Sequence, residues 1–404
     1  MADTKEPNLP YGRQSIDDED IRAVVDCLKG DWLTQGPRIE QFEKKLCEIT
    51  GARFAIAVSS GTAALHLAAL GLGIGNGDLG VVPAITFVAS ANCIRYAGGQ
   101  VAFADVDPAT ALVDVSKLRE QCARLKQKGT PAKLIVPVDM CGQPAYLPEI
   151  QAIAREYGAK VIEDAAHSLG ATYTHQGVTF AAGSCAHTDA AILSFHPVKH
   201  VTTGEGGAVL TNDSELCTRI RDLRSHGIHR DPQRLTRKDQ GAWYYEQSTL
   251  GFNYRITDLQ CALGLSQLNK LDRFVARRRE IAAAYARSFA QAPFAGKIKP
   301  LERKPGRESS WHLYVIRISQ AWAKDRVADY RKDLFTNLRE KNIFSQVHYI
   351  PVHWQPDYAG SDAYCSNADA YYAGCLSLPM FPAMTDADVQ RVTTVLAEWL
   401  ARKP

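Results

Sequence analysis

Short apolar runs alternate with helical patterns over residues 17–250, and this alternation constrains the fold more than any other feature. The runs FAIAVSS, LGVVPAITF, VAFADVD, KLIVPVD and AKVIEDAAH each end in a polar residue or a turn. Between them lie segments with apolar residues at helical spacing, such as GTAALHLAALGLG. Strands that are apolar throughout and are separated by helices are typical of a largely parallel sheet covered on both faces. The sequence therefore predicts an α/β fold.

Beyond Thr257 the pattern changes. The segment DLQCALGLSQLNKLDRFVARRREIAAAYARSFA keeps helical periodicity over about 33 residues without an internal breaker, which predicts a long helix linking two domains. An extended run, SSWHLYVIRI, a helix near 325–341 and a last amphipathic helix follow it. We predict a large α/β domain over 1–250 and a smaller α+β domain over 251–404.

Composition excludes several classes of protein. The chain has 404 residues and a net charge of +3, which argues against a partner bound mainly through phosphate charge, such as nucleic acid. It contains no apolar window of about 18 residues, so we expect no spanning helix and no membrane partner. Its first twenty residues are polar and acidic, unlike a signal peptide. The 10 cysteines include no CxxC pair and fit a reducing compartment. We expect a cytoplasmic protein.

A first candidate site follows the run FAIAV, where Ser59-Ser60-Gly61-Thr62 leads into a helical pattern. Free backbone N–H groups and the dipole at a helix start bind anions, and hydroxyls at Ser60 and Thr62 would complete a phosphate cup. Simple capping of the helix by Ser or Thr is the alternative, and taken alone it is favoured.

Two further candidates end apolar runs. Asp164 closes VIED, where a buried carboxylate needs a cationic or hydrogen-bonding partner, such as a protonated pyridine nitrogen. Phe87 follows LGVVPAIT and could stack on a flat ring. The alternatives are that Asp164 caps the next turn and that Phe87 is a core residue.

Lys199 lies between a strand pattern and the glycine-rich turn TTGEGG. A lone loop lysine is usually a solvated charge, but a lysine held in a cleft forms a Schiff base with an aldehyde. Phosphate cup, aromatic ring, buried carboxylate and lysine all occur at strand ends, where α/β sheets bind ligands. Together they predict a pocket for pyridoxal 5'-phosphate (PLP).

These residues lie in blocks that resemble the sugar aminotransferases of the DegT/DnrJ/EryC1/StrS family. The blocks are GTAALHLAAL, PAITFVASANCI, VIEDAAHSLGA, SFHPVKHVTTGEGGAVLTND, GFNYRITDLQCALG and LSLPMFPAMTDADV. The resemblance covers nearly the whole chain. It implies the PLP-dependent transferase fold of type I, the aspartate aminotransferase type, with a large, mostly parallel sheet domain and a smaller C-terminal α+β domain.

The resemblance also implies a role for each candidate residue. Lys199 would form the Schiff base and move protons, and Asp164 would pair with the pyridine N–H. His167 would touch the cofactor ring and Phe87 would stack on it. Gly61, Thr62 and Ser194 would hold the phosphate together with the Ser60 cup. Asn253 would reach the phosphate of the neighbouring subunit, which implies a homodimer with shared active sites. The run Val138–Gly142 departs from the sequence that many family members have there, so we predict no particular sugar contacts for it.

Within the family, the FHPVK, RSHGIHRDP and WYYE segments most resemble enzymes of the pseudaminic acid pathway. That implies transfer of an amino group from L-glutamate to C4 of a UDP-linked 4-keto-6-deoxy N-acetylhexosamine. Alternatives are an aminotransferase for another nucleotide-linked keto sugar, of the 4-amino-4-deoxyarabinose or perosamine type, or a PLP-dependent sugar dehydratase. A non-catalytic binder of PLP or a nucleotide sugar is a further alternative.

His348 and His353, in VHYIPVHWQPDY, suggest a metal site at first. Pro351 breaks any helix between them, so the two side chains share no helix face. We expect no metal, and by resemblance both histidines would line the sugar side of the pocket.

Overall fold

The computed structural model describes residues 6–404, apart from the side chain of Asp362, so residues 1–5 of the predicted first domain lie outside the described residues. The helices are α1 Asp18–Leu28, α2 Pro37–Thr50, α3 Gly61–Gly71, α4 Ala89–Tyr96, α5 Val115–Gln127, α6 Leu147–Tyr157, α7 Ser214–Arg224, α8 Asp258–Leu268, α9 Leu271–Phe289, α10 Gln320–Ala323, α11 Val327–Glu340, α12 Ser366–Gly374 and α13 Asp386–Ala401.

The strands are β1 Phe54–Val58, β2 Leu79–Pro83, β3 Gln100–Ala104, β4 Leu134–Ile135, β5 Lys160–Asp164, β6 Thr172–His175, β7 Val178–Ala181, β8 Ala190–Ser194, β9 Gly207–Thr211, β10 Ile228–His229, β11 Glu246–Gln247, β12 Ile298–Pro300, β13 Arg307–Glu308, β14 Tyr314–Ile318, β15 Asp362–Ala363 and β16 Cys375–Leu378. Within residues 6–404, no helix is both long and apolar enough to cross a bilayer.

The main sheet has the strand order β1-β9-β8-β5-β4-β2-β3-β15. Only β9 runs against its neighbours in this sheet, since it pairs antiparallel with both β1 and β8. The other strands point the same way, so their carboxyl ends share one edge. The mostly parallel sheet predicted from the sequence is present.

Both faces of the main sheet are covered. In β1, Ile56 and Val58 pack in the cluster that contains α3, whereas Ala55 and Ala57 pack in the cluster that contains α2 and α8. Successive side chains of a strand point to opposite faces, so a strand buried on both sides is apolar at every position. This explains why the strand segments show no polar alternation.

The C-terminal part builds a second, antiparallel sheet, β12-β14-β16, which packs with α9, α11 and α13. The N-terminal segment joins this part, because Leu9 is buried in its core and pairs with Ile343. Conversely, β15 adds to the main sheet beside β3. The boundary at residue 250 stays a prediction, and each part of the chain contributes a segment to the other.

The predicted single helix beyond Thr257 is wrong, because α8 ends at Leu268 and α9 begins at Leu271. At the break, Lys270 is buried and its amine lies 3.0 Å from the Asp20 carboxylate of α1. The neighbouring Gln267 also donates to Asp20, at 2.7 Å. A buried charge requires such a partner, and periodicity within the segment carries no information about α1.

Candidate active site

The start of α3 forms one wall of the site. Ser60 is the N-cap, and its Oγ accepts a hydrogen bond from the Ala63 N–H at 3.1 Å. The capping alternative therefore describes Ser60 correctly, but it does not exclude an anion site. The N–H groups of Gly61 and Thr62 have no acceptor within the helix, because the first helical N–H groups never do. They remain available to an anion at the positive end of the helix dipole.

Two glycines let strands approach this helix start. A Cβ on Gly61 would lie 3.0 Å from the Ser194 Cβ at the end of β8. A Cβ on Gly207, the first residue of β9, would lie 2.5 Å from the carbonyl carbon of Ser60. The Ser194 hydroxyl and the α3 N–H groups consequently meet in a space that a larger residue would fill.

Asp164 is the last residue of β5 and is buried. Its Oδ2 accepts a hydrogen bond from Ser90 Oγ at 2.6 Å, and its Oδ1 accepts one from the Ala166 N–H at 3.2 Å. Thr86 Oγ1 lies 2.7 Å from Ser90 Oγ, so a row of hydrogen bonds runs from Thr86 through Ser90 to the Asp164 carboxylate. Burial raises the pKa of Asp164, while Ser90, Ala166 and the Lys199 charge lower it. A cation bound against this carboxylate would remove the cost of burying it.

Lys199 lies in the loop between β8 and β9. The Thr203 N–H and Thr202 Oγ1 both donate to the Phe195 carbonyl and hold this loop in place. Burial lowers the pKa of Lys199 to about 8, and the charge of Asp164 opposes that shift. The Lys199 amine makes no hydrogen bond or ion pair with the described residues, so it is free to react.

His167 and Phe87 face the same space. His167 is buried, and its Nε2 lies 3.3 Å from the Tyr349 hydroxyl. Its Nδ1 has no partner among the described residues. Phe87 is 56% exposed, so the core alternative for this residue is wrong. Its ring centroid is 6.1 Å from that of Tyr349.

A cavity of about 420 Å³ brings most of the predicted residues together. Its lining includes eight of the nine predicted cofactor-binding residues: Ser60, Gly61, Thr62, Phe87, Asp164, His167, Ser194 and Lys199. Asn253 is exposed and does not line it. The segment around Asn253 instead runs beside the end of β1, where the Ser59 N–H donates to the Tyr254 carbonyl.

A scan of family models matches residues 14–397 to the DegT/DnrJ/EryC1/StrS aminotransferase family. The chain belongs to this family. It is 38% identical over 398 residues to the spore coat polysaccharide biosynthesis protein SpsC of Bacillus subtilis (strain 168), and the match covers 97% of each chain.

Solved structures of sugar aminotransferases have the same fold. PseC of Helicobacter pylori, an aminotransferase involved in the biosynthesis of pseudoaminic acid, is 29% identical with a TM-score of 0.86, covering 98% of this chain and 100% of PseC. The putative sugar aminotransferase Spr1654 of Streptococcus pneumoniae, in its PLP form, is 26% identical with a TM-score of 0.85, covering 98% of this chain and 99% of Spr1654. The predicted fold, family and cofactor are confirmed: the protein is a PLP-dependent sugar aminotransferase.

The described residues fit the cofactor of this aminotransferase family. The α3 N–H groups and Ser194 suit a phosphate, and the buried Asp164 suits a protonated pyridine nitrogen. In the described part of the chain, the Lys199 amine makes no hydrogen bond or ion pair, and the His167 Nδ1, which also lacks a partner there, offers one more polar contact. Individual contacts with PLP stay predictions.

Several residues around this aminotransferase site carry no local sequence signal. Tyr11, His312 and Tyr349 line the cavity, and the Ser90 hydroxyl donates to the Asp164 carboxylate. They come from segments far apart in the chain, so only an alignment of relatives could have found them. Of the two histidines predicted to line the pocket, His348 does so. His353 does not, and its Nε2 lies 3.1 Å from Asp369 instead.

Proposed function

We propose that this aminotransferase transfers the amino group of L-glutamate to C4 of a UDP-linked 4-keto-6-deoxy N-acetylhexosamine. Bound PLP supplies an aldehyde that carries the amino group between donor and acceptor, and a ring that withdraws electrons from the reacting carbon. The observation that carries the proposal is Lys199, an unpaired amine in the same cavity as a buried carboxylate and a helix start.

Each residue has a distinct task in both half-reactions. The Lys199 amine would hold PLP in the resting enzyme and, as the free amine in the cavity, would move a proton to or from the substrate carbon. Asp164 keeps a positive charge on the ring nitrogen, and Ser90 and Ala166 hold that carboxylate in place. The N–H groups of Gly61 and Thr62 would bind the phosphate and so hold the cofactor in place.

The acceptor is inferred from relatives. PseC acts in pseudoaminic acid biosynthesis, and SpsC acts in spore coat polysaccharide biosynthesis. Both names support a sugar of a surface polysaccharide pathway. Lys199 disfavours the dehydratase alternative, since the family resemblance implies a histidine in place of this lysine in the dehydratases. Keto sugars of the 4-amino-4-deoxyarabinose or perosamine type remain the alternative acceptors.

We further propose a cytoplasmic homodimer in which Asn253 of one subunit reaches the phosphate bound by the other. Asn253 is exposed and lies outside the cavity of its own chain, which leaves it free for a partner. On α1 and just after it, Ile21, Val25, Leu28 and Trp32 expose apolar side chains. An apolar face of this kind is typical of a protein interface.

The absorption spectrum of the PLP-loaded protein tests the proposal. We expect the visible band of the bound cofactor to disappear on adding L-glutamate, and to return when the UDP-linked 4-keto sugar is added. Lys199→Ala should lose this response. Recovery only with a GDP-linked sugar or a keto pentose would redirect the acceptor. Release of ammonia or water without an amino acid donor would favour the dehydratase.

A further inference from the structure

Arg278 on α9 is a buried cation without an acidic partner. Its side chain is fully buried, and no carboxylate among the described side chains forms an ion pair with it. Its Nε and Nη2 have no hydrogen-bond partner among residues 6–404 as the structure describes them. An isolated buried charge is costly, and burial lowers the pKa of Arg278 to about 10.

The only partners of Arg278 among the described residues are backbone carbonyls. Its Nη1 donates to the carbonyls of Trp311, His312 and Met380, at 3.2, 3.1 and 3.1 Å. Trp311 has φ of 56°, a left-handed conformation that is uncommon for a bulky residue. Residues in such conformations persist where their surroundings hold them, and they cluster at functional sites.

The segment held by Arg278 reaches the cofactor cavity through His312. The ring centroid of His312 is 4.3 Å from that of His167, and His312 lines the cavity. The Ser310 carbonyl lies 3.0 Å from His200 Nε2, and Ser310 Oγ donates to the His167 carbonyl at 3.3 Å. The segment thus contacts His200, which follows Lys199 in the chain, and His167, which is expected to face the cofactor ring.

We propose that Arg278 is a positioning residue, which holds the Trp311–His312 backbone so that the His312 ring supports His167. The proposal rests on the proposed function, since it concerns the same site. The Arg278 charge also contributes to the protonation of that wall. Burial lowers the pKa of His312, and His167, Lys199, His200 and Arg278 lower it further. Burial likewise lowers the pKa of His167, and Lys199, His348 and His200 lower it further, so both imidazoles favour the uncharged form.

Two substitutions separate position from charge. Arg278→Lys keeps the charge, but its ammonium is on a shorter side chain and falls short of the Nη1 position that contacts the three carbonyls, whereas Arg278→Met loses both charge and contacts. Arg277→Met is the matched control, because Arg277 lies on the same helix and donates to the Met384 carbonyl at 2.8 Å. Arg277 also pairs with Asp386, outside the cavity.

We expect both Arg278 variants to lower the limiting rate of the L-glutamate half-reaction by about tenfold or more, because small displacements at an active site are expensive. The concentration of L-glutamate for half-maximal rate should change little, and Arg277→Met should leave both values unchanged. In the His312→Asn background the loss from Arg278→Lys should shrink, since the two residues act together.

Nitrogen NMR of the histidine rings in the protein without any amino acid gives a readout independent of turnover. His312 should protonate at higher pH in Arg278→Met than in wild type, but not in Arg278→Lys. If both Arg278 variants match Arg277→Met, if their loss is undiminished in His312→Asn, or if neither folds, Arg278 is merely structural and the proposal is wrong. If the wild type ignores L-glutamate while the NMR shift is seen, the proposed function fails and only the effect of the Arg278 charge on His312 is supported.

Discussion

At the scale of single residues, the Lys199 amine and the Asp164 carboxylate influence each other's protonation. Burial lowers the pKa of Lys199 to about 8, and the negative charge of Asp164 raises it. Only the neutral amine captures the PLP aldehyde. We therefore expect the rate of PLP capture by the cofactor-free protein to rise with pH and level off above about pH 8. In Asp164→Asn the plateau should begin at lower pH. Stopped-flow absorbance measures both profiles, and a plateau that stays in place would refute this coupling.

Ser90 is a second residue with a specific prediction, because its Oγ donates to the buried Asp164 carboxylate at 2.6 Å. A hydrogen bond to a charged group contributes about 1.5–3 kcal/mol, so Ser90→Ala should weaken PLP binding by about 10- to 100-fold. Thr86→Val removes only the outer link of the chain and should have a smaller effect. Equilibrium titration with PLP gives both affinities. If Ser90→Ala and Thr86→Val lost the same amount of PLP affinity, the direct bond from Ser90 to Asp164 would not be the more important one.

At the scale of elements, the contact between β9 and the start of α3 shapes the phosphate cup. Gly207→Ala would place a methyl group 2.5 Å from the Ser60 carbonyl carbon and push α3 away from Ser194. Overpacking of this kind lowers the free energy of unfolding by about 1–3 kcal/mol. We expect a lower melting temperature and roughly tenfold or greater loss of PLP affinity. Gly75→Ala is the control, since a Cβ there meets nothing within 4 Å. A Gly207→Ala protein with wild-type PLP affinity would show that this contact does not shape the site.

The elements also show how far local pattern predicts structure. Continuous apolar runs predicted the parallel strands, and the rule that ligands bind at strand ends predicted a cavity near Asp164, Ser194 and Lys199. The break between α8 and α9 escaped prediction because its partner, Asp20, lies far away in the chain. His312 and Tyr349 escaped for the same reason. Their segments reach the cavity only through folding of the C-terminal part.

At the scale of the whole molecule, the proposed site belongs to two chains, and mixing subunits tests this. Asn253→Asp should place a negative charge beside the phosphate held by the partner and abolish activity. Lys199→Ala should also abolish activity, because it removes the amine from the site of its own subunit. In a mixed dimer, one site combines an intact Lys199 with an intact Asn253 from the other subunit. Random exchange of equal amounts should restore about a quarter of wild-type activity, because half of the dimers are mixed and each has one complete site.

Each variant alone, carried through the same exchange, provides the baseline for this mixing experiment. Sedimentation of the separate and mixed proteins checks that the variants remain dimers. When Asn253→Asp alone is inactive, activity at the baseline in a confirmed mixed dimer would mean that Asn253 is needed by its own chain and does not complete the partner's site. That result would leave the Lys199 site of the single chain intact and would refute only its sharing between subunits, because Asn253 lies outside the cavity of its own chain.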